Sequence, residues 1–475
     1  MDSVPPELLY GVASILGITL VISSVSNNEW LLAALILYLP LSKLMPAIIA
    51  PGLNGTNILL ILLLVAWATA AQRGQCGFLK GIRYGRLMML FSVLSLVSVL
   101  TILRDPLGKS FFMDEGITEF KGWFDQFILF FAFANLISNG AMARRIVIYC
   151  MLGSVIAEAF GFLELLGKQG LSSIEKSRIL GPVGQPNNFG AFIVYNLSPF
   201  IALFILNYRK WYVLLLIPYL LLSLKLLLAT FSRGAYLGLV MAGASATFFR
   251  GLVFSGCVAA AGAILLFNYP DLVPSSLRDR MGSTASGYYS QVYDASTNSR
   301  LVLWEAAAEM TVESPVLGAG FMGFPLRKSQ YTDVPVEETD PHNMYLFICT
   351  QMGIPALIVF LLLLFGFFRC SLLVYRTADD PFARVIGLGG LAMIAGVVAI
   401  NMFGSRMVNS DISGYFWIYF AVLVSLLRER DQLLQKRFVE SQKNQSSTKV
   451  AKPNPLQPRR IGRSSQQLRH RDYRQ

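Results

Sequence analysis

NMYLFICTQMGIPALIVFLLLLFGFF, residues 343–368, carries no charged side chain over 26 consecutive positions. As a helix at about 1.5 Å per residue it is about 39 Å long, more than the roughly 30 Å hydrocarbon core of a bilayer. A soluble core helix shows polar residues on its outer face every few positions, and this stretch shows almost none. It reads as a membrane span. Working outward, apolar runs of similar length lie at about 8–25, 30–50, 57–72, 87–103, 123–139, 146–166 and 189–207, then at about 212–230, 234–249, 252–268, 384–404 and 412–427. Composition agrees: 54% of the 475 residues are hydrophobic and 14% are charged, where soluble domains carry about a quarter charged. The expected fold is an all-α polytopic membrane protein of about 12–14 transmembrane helices. A disulfide-stapled secreted domain, a soluble enzyme and a disordered chain are excluded.

The net charge of +12 is concentrated at one end. From Arg428 onward there are 13 basic and 4 acidic residues in 48, so about three quarters of the excess lies there. The stretch QPRRIGRSSQQLRHRDYRQ has no apolar pattern and is expected to be disordered. It lacks the interleaved aromatics that stack on bases, so nucleic acid is not an expected partner; a cytoplasmic tail near anionic membrane lipids is. Residues 1–427 then form the bundle and 428–475 the tail. Five cysteines (Cys76, Cys150, Cys257, Cys349, Cys370) have no paired spacing and imply neither disulfides nor a zinc site. The first 25 residues hold Asp2 and Glu7 but no Lys or Arg, unlike a cleaved signal peptide, and are expected to stay as a span.

Lys and Arg in short loops set the orientation. Arg73, Lys80, Arg83 and Arg86, then Arg144-Arg145, Arg209-Lys210, Arg250 and the Arg369/Arg376/Arg384 loop fall on one side, read as the cytoplasm. The one large loop, about 269–341, falls on the other with five basic and ten acidic residues. Inside it NSRLVLWEAAAEMTVESP is expected to form an amphipathic helix, with Asn298 or Ser299 as N-cap, Leu301, Trp304 and Ala308 on one face and Pro315 as the stop. Its Gly-, Ser-, Tyr- and Pro-rich flanks suit the walls of a polar cleft.

Few residues can carry chemistry. His342, in DPHNMYLF, lies where the loop enters the membrane, and an imidazole with an ordinary pKa of about 6.5 can accept a proton there; it has no neighbouring His or Cys with which to hold a metal. The plain alternative is a histidine that caps a helix start. Arg233, in LLLATFSRGAYLGLV, sits at the outer turn between two spans, as a site residue or as a lipid-phosphate anchor. Arg300 falls in the first turn of the expected loop helix, where the macrodipole disfavours a cation, and guanidinium plus terminal N–H groups would make an anion site. Within GPVGQPNNFGAF, Asn187 can cap a helix or bind sugar hydroxyls. Lys43, Glu158, Glu164 and Lys225 lie within spans, and Glu158 and Lys225 are expected to face the interior, paired with each other or with other polar groups.

In order, GPVGQPNN before one span, SRGA at the end of another, SRLVLWEAA and SPVLGAGF in the one large loop, and PHNMYL followed by QMGIPAL resemble the O-antigen ligase and O-antigen polymerase family of bacterial membrane glycosyltransferases. The resemblance covers about residues 180–365, and an extra apparent span near the N-terminus departs from the family pattern. It implies transfer of a glycan from a polyprenyl-diphosphate donor to an acceptor hydroxyl on lipid, polysaccharide or protein, outside the inner membrane, with no metal and no cofactor. It also implies Arg233, Arg300 and His342 as the essential residues. Substrate contacts are then expected from Arg233, Arg300, Asn187 and Asn343. A second reading is a transporter of a small solute such as inorganic carbon, although no internal repeat is visible and the notable residues cluster at the outer face rather than at the midplane. A third is an envelope scaffold.

Overall fold

A computed structural model describes residues 28–45, 54–77, 79, 81–168, 174–269, 295–334 and 338–450. The expected span at 8–25, loop residues 270–294 and the chain after 450 lie outside the described residues. Those described contain no β-strand. The longer helices are α1 (Asn28–Tyr38), α2 (Gly55–Gln72), α3 (Gly85–Ile102), α4 (Ile117–Leu136), α5 (Gly140–Gly167), α6 (Pro186–Asn207), α7 (Leu216–Ala229), α8 (Arg233–Arg250), α9 (Leu252–Asn268), α10 (Ala295–Glu313), α11 (Met344–Met352), α12 (Ile354–Thr377), α13 (Pro381–Ile400) and α14 (Ser410–Val450). Eight helical segments are long and apolar enough to cross a membrane, and Asn28–Leu41 and Leu252–Leu265 are shorter apolar helices. The protein is therefore an all-α, multi-pass membrane protein. Its outward faces are apolar too: Ile61, Val65, Leu96, Leu221, Val240, Leu362 and Phe365 are all exposed, which water penalises and lipid does not.

The chain divides into two compact units, 1–429 and 430–475. In the first, α13 is the central helix, packed against α8, α12 and α6. Its small residues allow that crowding: a Cβ added at Gly396 would sit 3.3 Å from the Gly238 carbonyl of α8. An aromatic cluster joins α3, α4 and α12 through Phe91, whose ring centroid lies 5.7 Å from those of both Trp123 and Phe360.

The two ends of the bundle are distinct. At one, Arg145 binds Glu29 at the start of α1 (2.5 Å), Arg144 binds Asp380 before α13 (2.9 Å), and Arg428 donates to the carbonyls of Ala134 and Ile137 at the end of α4. The opposite end gathers the starts of α6, α8 and α11 with the ends of α7 and α13.

Several expectations need correction. The 343–368 run is two helices, broken at Gly353, which has φ 83° and ψ 169°, a conformation open to glycine alone. There Gly353 meets the Val316 carbonyl, Ile354 N donates to Pro315 O (2.8 Å) and Ala319 N donates to Thr350 O (2.7 Å), so SPVLGAGF and QMGIPAL interlock through their backbones. Lys225 is exposed on α7 and does not meet Glu158. The buried Glu158 carboxylate instead accepts from Tyr219 Oη (2.9 Å) and Ser223 Oγ (2.5 Å). Between 428 and 450, expected to be disordered, the chain is helical; RERDQLLQKRFVESQK is rich in good helix formers. All five cysteines are free.

Candidate functional site

The loop helix begins earlier and turns a different face inward than the sequence pattern proposed. It starts at Ala295, which puts Arg300 in its second turn, beyond the strongest part of the terminal dipole. Leu303, Ala306, Ala307 and Met310 are its buried stripe, forming a small core with Ala319 and Phe324, while Leu301 and Ala308 are exposed. LVLWEAAAEM is apolar on more than one side, so helical period alone allowed two stripes and packing against α11 selected one. Trp304 stays partly exposed, and its Nε1 donates to Pro341 O (2.9 Å). That bond ties the helix bearing Arg300 to the residue preceding His342.

Arg233 is the first residue of α8, after Ser232 as N-cap and Phe231 at φ 51°, which sets a cationic residue at a helix N-terminus, where the dipole favours an anion. His342 is itself left-handed, at φ 52°. A non-glycine residue in that region costs about 1–3 kcal/mol, and such strain concentrates at functional sites.

Asp340 holds His342 in this conformation. Its Oδ1 accepts from His342 N (3.0 Å) and from Ser405 Oγ (2.6 Å), and its Oδ2 lies 3.6 Å from His342 Nδ1, a buried atom. Burial opposes ionisation of Asp340, but the hydrogen bond and charge of His342, the Ser405 hydroxyl and the Arg406 charge outweigh it and hold its pKa below the ordinary value of 3.8. Asn343 acts as the N-cap of α11, its Oδ1 accepting from Tyr345 N (3.0 Å) and Leu346 N (3.2 Å). Asn187 Oδ1 accepts from Arg178 (3.0 Å), whose Nε also donates to Thr230 O (3.0 Å). The segment before α6 is thus pinned to the turn that carries Arg233.

What unites these pieces is the turn 401–409, NMFGSRMVN, between α13 and α14. Asn401 O accepts from Met344 N (2.9 Å), and Asn401 Nδ2 donates to Tyr195 Oη (2.7 Å). Phe403 stacks obliquely on Trp304 (centroids 6.4 Å apart), and a Cβ at Gly234, next to Arg233, would lie 3.5 Å from Phe403 Cβ. Ser405 reaches Asp340. Arg406, buried, donates to Gln185 Oε1 (3.1 Å) and Asn188 Oδ1 (2.6 Å). From the far side, Gln126 of α4 donates to Val408 O (2.6 Å) and accepts from Ser413 Oγ (2.6 Å) and Trp417 Nε1 (2.8 Å). One turn therefore touches the start of α8, the loop helix α10, the Asp340–His342 pair and the start of α6. Sequence reasoning missed Arg406; its one signal was an arginine in a short turn at the outer end of a span.

The fold is that of a multi-pass membrane protein in which the start of α8 with Arg233, the helix bearing Arg300 and the residue pair Asp340–His342 lie at one end of the bundle. Residues 218–361 match the family model described as O-antigen ligase. The resemblance is thereby shown over that segment, which holds Arg233, Arg300, His342 and Asn343, and it supports a membrane glycan-transfer enzyme in general. No curated protein matches the chain closely.

Proposed function

We propose that the protein transfers a glycan from a polyprenyl-diphosphate carrier to an acceptor hydroxyl at the extracytoplasmic face of a bacterial inner membrane, without metal and with inversion at the anomeric carbon. The observation that carries this reading is the convergence, around the 401–409 turn, of the segments bearing Arg233 and Arg300 with the strained His342. A family implying a lipid-linked donor and a glycan acceptor supplies the substrate class.

In the proposed step the acceptor oxygen attacks the anomeric carbon and the bond from that carbon to the diphosphate breaks. The bonding pair leaves on the diphosphate oxygen, and His342 takes the hydroxyl proton as general base. Arg233, beside the N–H groups opening α8, and Arg300 receive the growing negative charge. At about 4 Å and an effective dielectric of about 20, each charge pair amounts to roughly 4 kcal/mol before desolvation. Only the part that grows toward the transition state accelerates the reaction. Asn187 and Asn343, although each has one oxygen engaged, keep side-chain N–H donors for sugar hydroxyls. The basic end of the bundle and the tail face the cytoplasm in this arrangement.

The test is transfer from a purified polyprenyl-diphosphate glycan by the purified protein, with a chelator present. Wild type is expected to transfer, and His342→Ala to lose transfer while still binding donor. Full activity of His342→Ala, or loss of wild-type activity on removing divalent metal, would overturn the mechanism.

A further inference from the structure

Resting on that functional reading, we infer that Asp340 is the positioning residue of His342, forming a carboxylate–imidazole pair that keeps the ring's proton on Nδ1 and leaves Nε2 free to take the acceptor's proton.

Both oxygens of the carboxylate have a task. Oδ1 is held by the backbone N–H of His342 and by Ser405 Oγ, which fixes the plane of the carboxyl group. Oδ2 is then presented to Nδ1 at 3.6 Å, slightly beyond a formed hydrogen bond, as unliganded catalytic pairs often are. Nδ1 is buried with no other hydrogen-bond partner among the described residues, so the carboxylate is the acceptor within reach. Because the backbone at His342 is left-handed, the carboxylate two residues upstream lies beside the imidazole and also receives its main-chain N–H. The 401–409 turn completes the arrangement through Ser405 and Arg406.

The charge of Arg406, from the 401–409 turn, acts on Asp340 and favours its ionised form, so that Oδ2 stays an acceptor for Nδ1. Removing the carboxylate should free the ring to carry its proton on the other nitrogen.

The chain has only two histidines, so a full-length His470→Gln protein leaves His342 as a single reporter. With ¹⁵N-labelled histidine in that protein, NMR is expected to show the neutral ring protonated on Nδ1. Asp340→Asn keeps an oxygen for His342 N and Ser405 but offers Nδ1 a donor instead of an acceptor. It should shift the proton to Nε2. In the transfer assay Asp340→Asn should reduce kcat by about 10²-fold or more with donor KM little changed. Ser405→Ala keeps the carboxylate and should leave the proton on Nδ1.

An unchanged tautomer in Asp340→Asn would overturn the pairing, whatever the activity. If His342→Ala is inactive while Asp340→Asn transfers at the wild-type rate, the inference fails and the functional reading stands. If His342→Ala is fully active, the functional reading fails, and the NMR measurement still decides whether the pair exists.

Discussion

Arg300 and Arg233 carry the same charge from different local settings, and the difference sets what substitution does. Arg233 opens a helix, so part of its anion affinity is shared with backbone N–H groups, whereas Arg300, one turn into α10, relies on its own planar fork. Arg300→Lys keeps charge but loses two parallel hydrogen bonds to a diphosphate. It should lower kcat/KM for transfer by about 10²- to 10³-fold, nearly as much as Arg300→Ala, a loss of roughly 3–4 kcal/mol of transition-state stabilisation; near-normal activity of the lysine variant would identify a mere surface charge. Asp340 also affects stability. Its folded pKa lies below the unfolded value near 3.8, so its ionised form contributes stability that is complete above that unfolded value and is lost as pH falls through the lower folded one. Thermal unfolding in detergent should therefore show Asp340→Asn less stable than wild type near pH 6, with the two curves converging as pH falls below the ordinary carboxyl range. A constant difference across that range would mean the carboxylate's charge plays no part.

Among the elements, the break between α11 and α12 shows how a motif can be structural while bordering a site. QMG ends one helix because Gly353 adopts a backbone conformation that side chains resist, and there it receives the Val316 carbonyl of the loop. This closeness seats SPVLGAGF beneath α11, and α11 in turn has His342 and Asn343 at its start. Gly353→Ala should destabilise the protein by about 1–3 kcal/mol or more, since left-handed strain and a clash with a backbone oxygen add. Gly243→Ala, inside α8 with nothing within 4 Å of an added Cβ, should be neutral or stabilising by about 0.5–1 kcal/mol. Midpoints of heat-induced aggregation for both variants check the contrast; equal midpoints would mean that the loop is not held through this contact.

For the whole molecule, the ends of the bundle separate the charges. Arg144, Arg145 and Arg428 are engaged at one end, and Arg233, Arg300, His342 and the 401–409 turn gather at the other. With basic loops in the cytoplasm, a reporter fused after Gln475 should read cytoplasmic and one inserted at the exposed Val334 extracytoplasmic. Finding both on one side would exclude the orientation proposed here and with it access to a donor presented outside.

Apolar run length was sufficient to establish an all-α membrane bundle, because about twenty residues without charge can satisfy their backbone in lipid only as a helix. The motifs around one loop, through the family they resemble, propose Arg233, Arg300 and His342 as site residues, and ionisable side chains at a membrane face draw attention to the same positions. Tertiary packing decided the rest. Period could not choose between two apolar stripes on α10, and α11 chose Leu303, Ala306, Ala307 and Met310. The Gly-x-Pro turn in QMGIPAL is a local signal inside the 26-residue apolar run, but that Gly353 packs on a carbonyl some 37 residues away was decided by the fold. Least legible was Arg406: its partners Gln185 and Asn188 lie more than 200 positions earlier, and only the folded chain brings them, with Asp340 and His342, around a single turn.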